Sequence, residues 1–321
     1  MKAIETRALT RLFGSLCAVD NLTMAVPCGQ VYGFLGPNGA GKTTTLKMLA
    51  GLISPSSGTA LVAGKEMRPG ESSRELRSRV GFLAEDPAFY PWMTAYEALV
   101  FTARLHGSSA ARAGARAAEL LDTVGLSPRA EDRIRGFSRG MRQRLGIALA
   151  LAGEPDVLLL DEPASALDPI GRKEILDLIS SLRGRATILM SSHVLDDVQR
   201  VGTWVGILDK GRMVVESPLD DLLHRYATPA FHLEISGDRT QVKSALLSRP
   251  WVQGVVEEAG GLRIIASDLQ EAQRSIASLL AAEHVSLLEF ATVVPTLEDV
   301  FLRIVSNNDN ADDVRAEQIT T

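Results

Sequence analysis

Two stretches of this chain hold residue types that can do phosphate chemistry together. In Gly36-Pro37-Asn38-Gly39-Ala40-Gly41-Lys42-Thr43-Thr44, the glycines permit a turn whose backbone N–H groups crowd around an anion. Lys42 adds a point charge for β- and γ-phosphates, and Thr43 offers a hydroxyl to Mg²⁺. In Val157-Leu158-Leu159-Leu160-Asp161-Glu162-Pro163, a continuously apolar run ends in two carboxylates. Asp161 can hold a hydrated Mg²⁺ there, and Glu162 can polarise an attacking water. The first stretch reads as a nucleoside-triphosphate site; the second turns that site toward hydrolysis. Alone, the one could be a glycine-rich turn and the other a strand capped by surface acids, but spacing and flanks favour the chemistry.

A phosphate turn of this kind needs a strand before it and a helix after it. Gln30-Val31-Tyr32-Gly33-Phe34-Leu35 supplies the strand, and the run from Lys42 to Ala50 supplies the helix. From about Met1 to Ser217, runs rich in Val, Ile and Leu alternate with helical segments, which predicts an α/β sheet covered by helices. Val157-Leu158-Leu159-Leu160 and Thr187-Ile188-Leu189-Met190 are too evenly apolar for half-exposed strands and belong in a buried parallel core. Between about residues 86 and 153 the period becomes helical over Thr94 to Leu105, Ala110 to Val124 and Arg139 to Ala152, with Ser138 as N-cap of the last.

At 321 residues the chain is long for one domain and comfortable for two. A linker is expected over 218–229. Beyond it, Phe231 to Ile235, Gln241 to Leu247, Val252 to Glu257, Leu262 to Ala266, Leu269 to Ala282 and Val285 to Phe290 read as β-α-β-β-α-β, the ferredoxin-like order. Pro295-Thr296-Leu297-Glu298-Asp299-Val300-Phe301-Leu302 reads as a further helix with Pro near its start. The polar end, residues 306–321, is expected to be disordered.

The formal net charge of −5 gives no reason to expect a nucleic-acid surface, since binding to phosphate backbones needs clustered Lys and Arg, so no nucleic-acid partner is expected. Cys17 and Cys28, with no second pair, indicate neither a zinc site nor a disulfide framework and suit reduced cytosolic thiols. The start lacks an apolar signal core, and runs such as Leu145 to Ala152 fall short of the roughly 20 residues that cross a bilayer. Any membrane span must come from another chain.

Three further segments complete a recognisable set. They are Phe137-Ser138-Arg139-Gly140-Met141-Arg142-Gln143-Arg144, Ser165-Ala166-Leu167-Asp168, and His193 in Met190-Ser191-Ser192-His193. With the phosphate loop and the acid pair, they make residues 3 to 217 resemble the ATP-binding subunits of ABC transporters. That resemblance implies a P-loop NTPase core (1–217) with a helical insertion (about 86–153), followed by a ferredoxin-like α+β accessory domain (230–305). It also implies ATP and Mg²⁺ as ligands, a second ATP-binding subunit, an integral membrane permease, and a place on the cytoplasmic face of the membrane. In that family, Ser138 and the amides near Gly140 would face the γ-phosphate held by the opposite subunit, the 165–168 loop would cross between subunits, and His193 would be the switch histidine. Phe13, about twenty residues before the phosphate loop, matches the aromatic that stacks on adenine.

Some residues depart from the common pattern. Arg139 stands where glycine is frequent, Met141 where glutamine is, and Glu85 in Gly81-Phe82-Leu83-Ala84-Glu85-Asp86 replaces the glutamine that senses Mg²⁺. A carboxylate can ligate Mg²⁺ as an amide can, with added charge. These variations, the segment from Asp86 to Thr94 and the ending around Leu297 resemble the exporter branch that serves drugs, polysaccharides, lipids or metals through small six-helix permeases. Phe89, Tyr90, Pro91 and Trp92 would then wall the groove in which a permease helix docks. The alternatives are a soluble ATPase of the same superfamily acting on ribosomes or nucleic acid, and a C-terminal unit that senses a small ligand.

Overall fold

The computed structural model describes residues 1–69, 74–226, 230–258, 260–293 and 296–301. The chain divides between Asp220 and Asp221 into two compact units.

Unit 1 opens with two long antiparallel strands, β1 (Lys2–Phe13) and β2 (Leu16–Pro27). They are followed by β3 (Val31–Leu35), α1 (Lys42–Leu49), β4 (Ser57–Val62), β5 (Lys65–Met67), α2 (Arg74–Arg79) and β6 (Val80–Leu83). Three helices come next, α3 (Ala95–Leu105), α4 (Ala110–Thr123) and α5 (Arg139–Leu151). The unit then alternates through β7 (Val157–Leu160), α6 (Pro169–Ser181), β8 (Thr187–Ser192) and α7 (Leu195–Val201), and ends with β9 (Trp204–Asp209) and β10 (Arg212–Pro218).

The strands form two sheets where the alternation of the sequence suggested one. The central sheet runs β10-β9-β3-β8-β7-β6, parallel except for β10, while β2-β1-β4-β5 is a separate antiparallel sheet. The correction has a local cause. β1 carries bulges between Thr6 and Leu9 and between Leu9 and Arg11, and Ala8 sits at φ 47° with its N–H given to Thr23 Oγ1 at 3.0 Å. A bulge shifts the two-residue alternation by one, so the period that identifies such a strand is broken in the sequence. The sheets share a core: Ile4, Leu22, Met24 and Val26 pack in one cluster with Phe34, Leu159 and Leu189, joined by Leu46, Met48 and Leu49 of α1. Glu216 ties them again, its Oε1 accepting from Ala25 N at 2.7 Å and Tyr32 Oη at 3.0 Å. Burial first, and then the Glu216 carboxylate, hold the Tyr32 phenol well above its ordinary range.

The helices start where their caps put them. Thr94 and Glu97 form a reciprocal capping box on α3, Ser109 caps α4, Ser138 caps α5 by accepting the Met141 N–H at 3.2 Å, and Asp168 caps α6 ahead of Pro169. Alanines at 95, 98, 103, 113 and 117 are buried, and their small side chains let α3 and α4 approach closely.

Most of the expected linker over 218–229 is helical. Pro218 closes β10, and α8 (Leu219–Tyr226) follows it directly, with Leu219 and Leu222 buried one turn apart. An apolar pair at helical spacing holds the helix in this stretch; residues 227–229 lie outside the described residues.

Unit 2 contains β11 (Ala230–Ser236), α9 (Arg239–Leu247), β12 (Val252–Glu258), β13 (Gly261–Ala266), α10 (Leu269–Ala282) and β14 (Ser286–Val293). Its sheet order is β12-β13-β11-β14, antiparallel throughout, which is the ferredoxin-like arrangement. Phe231, Leu233 and Ile235 of β11 pack with Leu262 and Ile264 of β13 and with Ile276, Leu279 and Leu280 of α10. Residues 297–301 are helical, with Leu297 and Val300 buried. Pro295, expected near the start of that helix, and the tail 306–321 lie outside the described residues.

Candidate functional site

Parallel strands deliver side chains to one edge, at their C-terminal ends, and that is where a ligand meets an open α/β sheet. β3, β8 and β7 are neighbours, so the loop after β3, the histidine after β8 and the acid pair after β7 arrive side by side. A cleft of about 400 Å³ lies there, lined among others by Phe13, Asn38, Gly39, Ala40, Gly41, Lys42, Thr43, Thr44, Glu85, Glu162 and His193.

The loop can take its shape only with glycine at two points. At Gly36 a Cβ would run into the Leu208 carbonyl oxygen, and at Gly41, where φ is 99°, into that of Ala18. Gly41 leads straight into α1, so the first amides of the helix open on the cleft. Lys42 is 7% exposed, and its ammonium donates to Gly36 O at 2.6 Å and Pro37 O at 3.2 Å. The same nitrogen stands 3.7 Å from Glu162 Oε1. A phosphate entering the loop competes with these carbonyls for a cation already aimed at it.

Asp161, 2% exposed, accepts from Thr43 Oγ1 at 3.0 Å and from Ser191 Oγ at 2.8 Å. Glu162 spans the site: Oε1 faces Lys42, while Oε2 lies 2.9 Å from Nδ1 of His193, whose side chain is 47% exposed. Its backbone is left-handed at φ 48°, a conformation rarely adopted by residues other than glycine, asparagine and aspartate. Thr43 Oγ1, the Asp161 carboxylate and the Glu85 carboxylate at the cleft wall are hard oxygen donors, a set that suits Mg²⁺. Among the described residues no group of three or more His, Cys, Asp and Glu could hold a metal by itself, which is the ordinary situation where phosphate oxygens complete the shell.

Phe13 stands at the end of β1, 46% exposed, with the Arg11 guanidinium 4.5 Å from its ring centroid. Ser138 is exposed and Gly140 half-buried, and neither lines this cleft. A second groove of about 350 Å³ lies between the Glu85 loop and the helices, lined by Leu83, Pro87, Phe89, Thr102, His106 and Leu149 among others. Tyr90 and Trp92 are exposed beside each other, ring centroids 5.1 Å apart, and do not line it. Sequence reasoning missed Ser191, Leu16 and Ala18 at or beside the nucleotide cleft. Ser191 had a signal: a hydroxyl at the end of an apolar, fully buried strand must find a partner.

A phosphate loop at the tip of one core strand and an acid pair at the tip of another define a P-loop nucleoside triphosphatase. Residues 19–165 match the family described as ABC transporter, and residues 218–305 match "ATP-binding protein DrrA1-3-like, C-terminal domain". The chain is 38% identical over 288 residues, 90% of itself and 94% of the relative, to the uncharacterized ABC transporter ATP-binding protein YxlF of Bacillus subtilis. It is 36% identical to the bacitracin transport ATP-binding protein BcrA of Bacillus licheniformis, over 94% of this chain and 97% of the relative. To the daunorubicin/doxorubicin resistance ATP-binding protein DrrA of Streptomyces peucetius it is 31% identical, over 99% and 96%. The dimeric structure of the bacterial ABC transporter cassette MJ0796 superimposes with a TM-score of 0.62 at 26% identity, covering 67% of this chain and 98% of that one. The chain belongs to the ATP-binding subunits of ABC transporters, and it is an ATPase.

Proposed function

We propose that this subunit powers export of drug-like molecules through a small six-helix permease, closing as a head-to-tail dimer on ATP and opening after hydrolysis. The observation that carries the reading is the convergence of Lys42, Thr43, Asp161, Glu162 and His193 on one cleft. Its relatives include proteins named for bacitracin transport and for linearmycin and daunorubicin/doxorubicin resistance, which favours the transporter over a soluble ATPase acting on ribosomes or nucleic acid. Among the described residues no helix is long and apolar enough to cross a membrane. In this reading a permease holds the subunit at the cytoplasmic face of the membrane.

Within the cleft, the backbone N–H groups of residues 38–44 cradle the phosphates, and Phe13 stacks on adenine. Glu162 orients the attacking water and takes its proton, Lys42 neutralises charge developing on the phosphates, and His193 holds the γ-phosphate. Thr43, Glu85 and Asp161 hold Mg²⁺, which when bound neutralises phosphate charge. Ser138 and Gly140, which do not line the cleft of their own chain, serve the nucleotide of the partner. ATP then joins two half-sites only while its γ-phosphate remains.

Residues 1–217 form the ATP-binding division. Residues 230–305 steady the pair, and the groove lined by Phe89 takes a permease helix. Affinity purification of Glu162→Gln with Mg-ATP from detergent-solubilised native membranes tests the proposal. A six-helix membrane protein is the expected companion; ribosomes or nucleic-acid complexes without a permease would overturn it.

A further inference from the structure

β8 is buried along its whole length, yet it ends in two serines. Ser191 is 0% exposed, and its hydroxyl is engaged on both sides. It donates to Asp161 Oδ1 at 2.8 Å and accepts the Glu162 N–H at 2.9 Å. One oxygen thus touches both neighbouring acids, the first through its side chain and the second through its backbone.

These bonds do different work. Asp161 Oδ1 accepts from Thr43 Oγ1 at 3.0 Å as well as from Ser191, so the carboxylate cannot turn without losing a donor, and the direction of Oδ2 is set. Glu162 is held at φ 48° with its N–H on Ser191 and its carbonyl accepting the Ser165 N–H at 3.1 Å. Backbone in this region persists where surrounding bonds over-determine it. In that conformation the Glu162 carboxylate reaches Lys42 on one side and His193 on the other. Relaxed to an ordinary φ, the chain would aim the carboxylate elsewhere.

We propose that Ser191 is a positioning residue for ATP hydrolysis, fixing the rotation of the Asp161 carboxylate and the left-handed backbone of Glu162 with a single hydroxyl. The inference rests on the reading of Asp161 and Glu162 as the acids of the reaction. It predicts a kcat effect with little change in nucleotide affinity, because Ser191 does not line the cleft.

The test compares the full-length parent, Ser191→Ala, Ser191→Thr and Glu162→Gln for kcat, for ATP binding in EDTA and for Tm. Ser191→Ala should lose about 10- to 100-fold in kcat, the range seen when a group orienting a metal-site ligand is removed, while ATP binding in EDTA stays at the parent value and Tm falls by only a few degrees, because the Glu162 N–H and the Asp161 carboxylate each lose one buried partner. Ser191→Thr, which keeps the hydroxyl, should regain most of that loss. Parent kcat in folded Ser191→Ala would overturn the proposal, as would a Ser191→Thr protein that recovers nothing. If Ser191→Ala yields no folded protein, Ser191→Cys, close in size and a weak donor, takes its place under the same criteria. Normal turnover in Glu162→Gln would show that the acid reading had failed, whereas loss in Glu162→Gln with parent kcat in Ser191→Ala would sink only the role of Ser191.

Discussion

The nucleotide edge of unit 1 and the core of unit 2 follow opposite rules of burial. Unit 1 buries Lys42, Asp161, Glu162, Ser191 and Ser192 at one edge of its central sheet, whereas the buried residues of unit 2 are apolar: among the described residues no buried polar or charged side chain lies beyond Ser217. Desolvating a charge costs far more than burying a methyl group unless partners meet it. Unit 1 therefore carries groups whose burial makes sense through chemistry, and unit 2 carries a sheet and helices whose burial makes sense through packing. The difference favours a steadying role for unit 2 over a ligand-sensing one.

The comparison can be broken at several points. Lys42→Ala should give the largest effect, abolishing measurable ATP binding in a protein that still folds, because it removes the cation and leaves Glu162 buried without it. Isothermal titration with circular dichroism as a control checks this; retained affinity would mean that the backbone N–H groups of residues 38–44 suffice. In unit 2, Phe231→Ala removes a fully buried ring stacked 4.6 Å from that of Phe290 and should cost about 3–5 kcal/mol. Calorimetry should show unit 2 melting earlier while ATP affinity stays at the parent value, and a lost affinity would mean that the packing of unit 2 reaches the nucleotide cleft.

Ser138→Ala sharpens the contrast within unit 1. Losing the cap on α5 should cost about 1 kcal/mol, a small shift in melting, yet hydrolysis should fall steeply if Ser138 serves the partner's nucleotide; parent hydrolysis would leave Ser138 as a cap alone. The smallest effect belongs to Asp299, where burial pushes the carboxyl up and hydrogen bonds from Thr296 and Arg263 outweigh it, leaving it below the ordinary range. A depressed carboxyl contributes stability that is fully present above the unfolded value of about 3.9 and is lost as pH falls through the folded one. Arg263→Ala should therefore weaken hydrogen-exchange protection of residues 297–301 at pH 7, by less than about 1 kcal/mol, and the difference from the parent should close as the solution is acidified below the unfolded value.

Much of this was legible in the sequence because the relevant signals are local. Glycines ahead of Lys42, an apolar run ending in Asp161-Glu162 and a serine before Arg139 each announce a turn, a strand tip or a cap within a few residues. The order β-α-β-β-α-β was legible for the same reason. The antiparallel sheet of β1, β2, β4 and β5 was hidden, because bulges at Ala8 and its neighbours break the alternation and because pairing partners lie far apart in the chain. The helix α8 was masked by Ser217-Pro218, which punctuate a strand end as readily as a linker. The order of residues shows a hydroxyl at the end of a buried strand at Ser191 but not which groups share it, and it does not announce the left-handed backbone of Glu162, since both arise when β7 and β8 lie side by side.

The most direct test of the account is a paired measurement of ATP binding and single-turnover hydrolysis in Glu162→Gln, with the association state followed in the same samples. The account predicts parent-like ATP binding, hydrolysis reduced by about 10²- to 10⁴-fold and dimers that accumulate with Mg-ATP. Hydrolysis at the parent rate would contradict it, and would remove Glu162 from the chemistry of the cleft.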